Sequence, residues 1–78
     1  MNPLMAFYIR QTVNFVHSTA GTLAISFALS RGTSIEGAMA ICVGAATGIQ
    51  DADLAIEIAE EIIGQMTARS VGYLKVVA

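Results

Sequence analysis

The stretch Ser30-Arg31-Gly32-Thr33-Ser34-Ile35-Glu36 decides how this 78-residue chain folds. Upstream of it, from Pro3 to Leu29, only Gly21 opposes a helix. Pro3 itself suits a first helical turn, where its missing N–H has no partner to lose. Gly32 then supplies a left-handed stop, and Arg31 sits at the negative end of the helix dipole. Immediately afterwards Thr33 and Glu36 have the spacing of a capping box, in which a hydroxyl and a carboxylate satisfy the free N–H groups of a new helix. One helix ending and another starting across so few residues is a helical hairpin. Its first arm is expected over about residues 3–30, roughly 40 Å at 1.5 Å per residue.

The second arm is expected over about residues 34–49, and apolar or small residues surround it on nearly every side, which marks a fully buried core helix. Gly37, Gly44 and Gly48 fall within about 40° of one another at 100° per residue, a flat strip where another backbone can approach closely. Ala20, Ala24 and Ala28 stack at i, i+4, i+8 on the first helix and offer a matching strip. Asp51 is a natural N-cap for a third helix over about residues 51–68, with Asp53 favoured in its first turn. Its apolar residues span an arc of about 200°, well beyond the stripe of a little over 100° that an ordinary surface helix needs. The surplus assigns Ile56, Ala59, Ile63 and Met66 to an interface with another chain, joined by Val71 and Tyr73 of an apolar tail, residues 70–78, that docks as a short strand or a helical arm. The fold class is therefore all-α: a single domain over residues 1–78, made of a helical hairpin plus a third helix and completed by homo-oligomerisation into a symmetric assembly.

Composition supports that need for a partner. Apolar residues make up 55% of the chain and charged ones 13%, and a domain this small buries only about 60% of the surface its unfolded chain exposes. The excess must meet other copies of the chain or a lipid bilayer. High hydrophobicity with low charge excludes intrinsic disorder. The net charge is −2, and the basic residues Arg10, Arg31, Arg69 and Lys75 are scattered, so no patch follows a phosphate backbone and no nucleic-acid partner is expected. The single cysteine, Cys42, cannot form an internal disulfide; set between Ile41 and Val43, it reads as a buried thiol in a reducing, cytoplasmic setting. The first ten residues lack the basic cluster and small-residue cleavage site of a secretory signal.

Gln11 to Ser30 is a charge-free run of twenty residues, long enough to span a bilayer. Gln11, Asn14, His17 and several Ser and Thr residues dilute it, so a soluble homo-oligomer is the favoured reading and a membrane the alternative. The third helix is amphipathic with an acidic polar face, whereas helices that lie on membranes are usually basic.

Two groups of residues are candidates for ligand binding. Arg10, Asn14 and His17 recur at helical spacing on the first helix and form a polar stripe on an apolar rod. They offer anion and amide hydrogen bonds and a pH-dependent donor; the plainer reading is a solvated face or a seam that sets register between subunits. Arg31, Thr33 and Ser34 combine a guanidinium, two hydroxyls and the free N–H groups of a helix start, the parts of an anion site, although capping alone accounts for all three.

Other constellations fall short of chemistry. The carboxylates Asp53, Glu57, Glu60 and Glu61 lack the E-x-x-H pair of carboxylate di-metal bundles and read as a solvated face. His17 and Cys42 lie on different helices and do not suffice for a zinc site, so no metal or other cofactor is expected. His17 and Ser18 diverge by about 100° as helical neighbours and make no nucleophile pair. A helix-turn-helix reading fails because the second helix presents Glu36, Met39 and Cys42 rather than basic side chains to a groove. The function expected is non-enzymatic: a homo-oligomeric binding protein that binds a protein partner or sequesters a small anionic ligand. The alternatives are a small membrane-active or membrane-embedded helical protein and a structural subunit of a filament or particle.

Overall fold

A computed structural model describes the backbone of residues 2–77 and the side chains of residues 2–68. It is all-helical, with four helices in chain order: α1 (Pro3–Val16), α2 (Thr19–Ser30), α3 (Ile35–Thr47) and α4 (Ala52–Val77). No strand occurs among the described residues.

The first departure from expectation is that residues 3–30 form two helices rather than one. Ser18 is the N-cap of α2, its Oγ accepting from the Gly21 N–H at 3.1 Å. Such a cap satisfies a donor that a helix start leaves free. The Thr22 hydroxyl ties the junction further by donating to the carbonyls of Ser18 (2.9 Å) and Val16 (3.2 Å). Gly21 makes this break possible, because a Cβ there would run into the Phe15 carbonyl group and would lie 2.9 Å from the Val16 Cα. The twenty-residue charge-free run is thus interrupted. No single helix among the described residues is long and apolar enough to cross a membrane, although α3 and α4 through Ala68, bent by 111°, pass that test as a pair by length and composition.

The hairpin turn between α2 and α3 forms where expected, with one shift in register. Gly32 is left-handed at φ 88°. The Thr33 N–H reaches the Ala28 carbonyl at 3.0 Å and the Gly32 N–H the Leu29 carbonyl at 3.0 Å, the two bonds of a Schellman motif. Thr33 is thereby held by the end of α2, and Ser34 takes over as N-cap of α3, its Oγ accepting from the Gly37 N–H at 3.1 Å. The capping box built on Thr33 is corrected to a simple Ser34 cap. At its other end α3 stops at Gly48, left-handed at φ 77°. Asp51 caps α4 as expected, its Oδ1 accepting from the N–H groups of Asp53 (3.0 Å) and Leu54 (3.3 Å). The backbone that the sequence suggested would leave the third helix as a tail after residue 68 continues helically to Val77.

α3 is the central element and touches the other three helices. The core joins Ile9 of α1, Met39 and Val43 of α3, and Ala55, Ile58, Ala59 and Ile62 of α4. The α4 residues lie at i, i+3, i+4, i+7, one helical face. Thr12 is a buried polar residue whose hydroxyl donates to the Tyr8 carbonyl at 2.9 Å, so its burial leaves no donor unpaired.

α3 is not buried all round. It buries Ala38, Met39, Cys42 and Val43 while Ile35 and Ile41 stay exposed. Gly37 and Gly44 lie about 150° around the helix from Cys42, on the open side, and Gly48 belongs to the turn. The expected glycine strip therefore receives no crossing helix: a Cβ on Gly37 would meet only Thr33 and Ser34, and one on Gly44 only the Ile49 carbonyl. α2 is packed in the opposite sense to an ordinary amphipathic helix. Gly21 and Ala28 are buried, while Leu23 and Phe27 are 64% and 62% exposed.

Candidate functional site

The polar stripe of α1 arises because Arg10, Asn14 and His17 sit at i, i+4 and i+7, which superpose on one helix face. That face looks across a gap toward the centre of α3 and the described part of α4. A cavity of about 530 Å³ lies between them. Among the described residues its polar lining is Arg10 and Asn14 of α1, His17 at the C-cap of α1, and Gln65 of α4. The apolar lining includes Ile9, Val13, Met39, Ile62 and Met66. Three of these, Ile9, Met39 and Ile62, are core residues, so the cavity floor is the core itself and the polar groups stand at the rim. Gln65 is oriented by a bond of 3.4 Å from its Nε2 to Glu61 Oε1 on the preceding turn.

Arg10 is the charged group among the described lining residues, and the Glu61 carboxylate stands behind Gln65. Arg10 contributes a guanidinium with donors in a planar fork, Asn14 and Gln65 contribute amides, and no acidic residue is among the described residues that line the cavity. Size and chemistry match the general pattern of small-molecule sites, which are concave, mostly apolar and about 300–1,000 Å³, with a few placed polar groups.

The second predicted group is placed elsewhere. The Arg31 guanidinium lies over the Phe27 ring, 4.7 Å from its centroid, a cation–π contact. Thr33 and Ser34 are engaged in the turn and the cap. None of these three lines the cavity. The two groups are thus not parts of one site, and the structural roles of Arg31, Thr33 and Ser34 account for their positions.

Sequence reasoning missed Gln65 and the methionines. Gln65 lies four residues after Glu61 on the edge of the apolar arc of α4, and that edge position was the available signal. Of the residues expected at an interface, Ile56 and Met66 are exposed and Ile63 packs partly buried against the core. Ala59 is fully buried inside the protomer and has no surface to offer a second copy. Val71 and Tyr73 lie outside the residues whose side chains are described.

Cys42 is fully buried, and that burial pushes its thiol above the usual range by penalising the thiolate. Among the described residues no group of three or more His, Cys, Asp and Glu side chains is placed to hold a metal ion. No protein-family model, curated protein or solved structure matches the chain.

Proposed function

We propose that this protein is a non-enzymatic binding protein that sequesters a small anion with an apolar body in the cavity between α1, α3 and α4. The observation that carries the reading is the composition of that cavity: a core floor of Ile9, Met39 and Ile62 beneath a rim holding Arg10, Asn14, His17 and Gln65, with no carboxylate among its described lining residues. An apolar body gains from leaving water against the floor, and an anionic head is the charge that the Arg10 guanidinium favours.

Calorimetric titration with octanoate and octanol tests the proposal, because the two share a chain and differ in charge. Octanoate should bind more tightly than octanol. Arg10 is exposed at the rim, where a charge pair is worth up to about 1 kcal/mol, so Arg10→Ala should weaken octanoate about three- to fivefold and leave octanol unchanged. Absence of octanoate binding at millimolar concentration, or equal binding by the wild type and Arg10→Ala, overturns the reading.

A second feature, the outward-facing Leu23 and Phe27 of α2, supports self-association into a homo-oligomer as a companion property. Large apolar side chains on the open side of a helix that buries its small ones leave a surface better suited to a partner than to water. Multi-angle light scattering should give a mass above the 8.1 kDa protomer, and Phe27→Glu should reduce it. A monodisperse protomer mass refutes self-association, and a protomer that sediments with vesicles favours a lipid-facing role for α2 instead.

A further inference from the structure

Beside the main cavity lies a smaller one of about 270 Å³, open to solvent and lined by Ile35, Met39, Ile63, Met66 and Thr67. Met39 and Met66 line both. Among the described residues these two flexible thioether side chains alone are common to the two spaces, and methionine is the apolar residue that repacks most readily. Polarity is distributed unevenly along the pair of cavities. Arg10, Asn14, His17 and Gln65 all belong to the larger space, while among the described residues Thr67 is the only one with a polar side chain lining the smaller one.

We infer that the two cavities form one groove for a single-chain amphiphile, an alkyl chain ending in an anionic group, whose head meets Arg10 and whose tail passes between Met39 and Met66 to the chamber beside Ile35 and Ile63. The inference rests on the anion-binding reading of the larger cavity and adds to it the shape of the ligand. A compact anion uses only the larger space and leaves the apolar chamber beyond the methionines wet. A linear chain fills both and keeps its charge at Arg10.

The test is a calorimetric series of straight-chain carboxylates from hexanoate to dodecanoate on the wild type, Ile35→Asp and Thr67→Phe. Ile35 is exposed at the first position of α3, where a helix start tolerates a carboxylate, so Ile35→Asp places charge at the tail chamber with little demand on the fold. Thr67→Phe narrows the same chamber from an exposed position on α4. Wild-type affinity should rise about fourfold for each added methylene. Both variants should bind hexanoate as the wild type does but stop gaining affinity at a shorter chain. An identical chain-length dependence in all three proteins, or a wild-type plateau at the shortest chains, overturns the extended groove while leaving the anion site standing. Failure of every carboxylate to bind the wild type removes the anion site and the groove together.

Discussion

Replacing Gly21 by alanine separates the four-helix structure from a three-helix one by the sign of its effect. In a continuous helix over residues 3–30, Gly21 is an interior glycine, and alanine stabilises such a position by about 1 kcal/mol. In the structure the first turn of α2 presses its Gly21 Cα against the end of α1. A Cβ there overlaps the Phe15 carbonyl group and lies 2.9 Å from the Val16 Cα. These are backbone atoms, so no rotamer change relieves the clash. Overpacking costs roughly 1–3 kcal/mol, more where backbone must move, and subtracting the gain in helix propensity leaves an expected net loss of about 2 kcal/mol. For a domain of this size each kcal/mol corresponds to a shift of about 4–8 °C in Tm, so the melting temperature should fall by roughly 8–16 °C. Gly64 is the internal control: it is exposed in α4, and a Cβ there meets nothing within 4 Å, so Gly64→Ala should stabilise by up to about 1 kcal/mol. Urea unfolding followed by circular dichroism at constant protein concentration reads both variants. If Gly21→Ala and Gly64→Ala stabilise alike, α1 and α2 are one helix and the account of the Ser18 junction is wrong.

Three further outcomes are expected. Ile58 is fully buried at the centre of the α4 face, so Ile58→Ala should cost about 2–5 kcal/mol in the same urea experiment, and a loss below 1 kcal/mol would mean that the core is loosely packed. Arg31→Ala should leave octanoate affinity unchanged while Arg10→Ala lowers it, because Arg31 stacks on Phe27 away from the cavity; equal losses would return Arg31 to the site. The Cys42 thiol should resist a thiol-specific disulfide reagent at pH 8 and react promptly once the protein is unfolded. Because its folded pKa is raised, the unfolded chain releases the proton first, so its contribution to stability is present below the ordinary thiol value of about 8.5 and declines as pH rises above it. Rapid labelling of the folded protein, or stability that rises with pH from 8 to 10, would contradict that burial.

The helix ends were legible to different degrees. Gly32 and Asp51 act as their sequence context implies, because a left-handed cap and an Asp N-cap involve only residues a few positions away. The displacement of the α3 cap from Thr33 to Ser34 has the same local origin: the Schellman bond takes the Thr33 N–H for Ala28, and the next hydroxyl becomes the cap. The Ser18 cap was masked because apolar residues continue on both sides of it and no Glu or Gln follows three positions later to complete a capping box. A serine with a glycine three residues on, Ser18 and Gly21, was the trace it left. For the site, the spacing of Arg10, Asn14 and His17 identified one wall. The opposite wall, with Met39, Ile62 and Gln65, depends on the positions of α3 and α4 relative to α1, which no residue spacing contains.

Taken alone, the sequence determined that the chain is helical, where α2 and α3 stop to within two residues, and which residues of α1 share a face. Those features follow from capping, backbone preference and a period of 3.6 residues, all of which act over less than two turns. It did not determine which sides of α2 and α3 are inside. A helix wheel finds the buried face by contrast between apolar and polar residues, and these two helices have little contrast, so packing chose instead. Packing turned Gly21 and Ala28 of α2 inward, with Gly21 close against the backbone at the end of α1, which left Leu23 and Phe27 outward, and α3 kept its glycines on the open side. The same packing placed the Arg10 stripe at the rim of a cavity floored by the core.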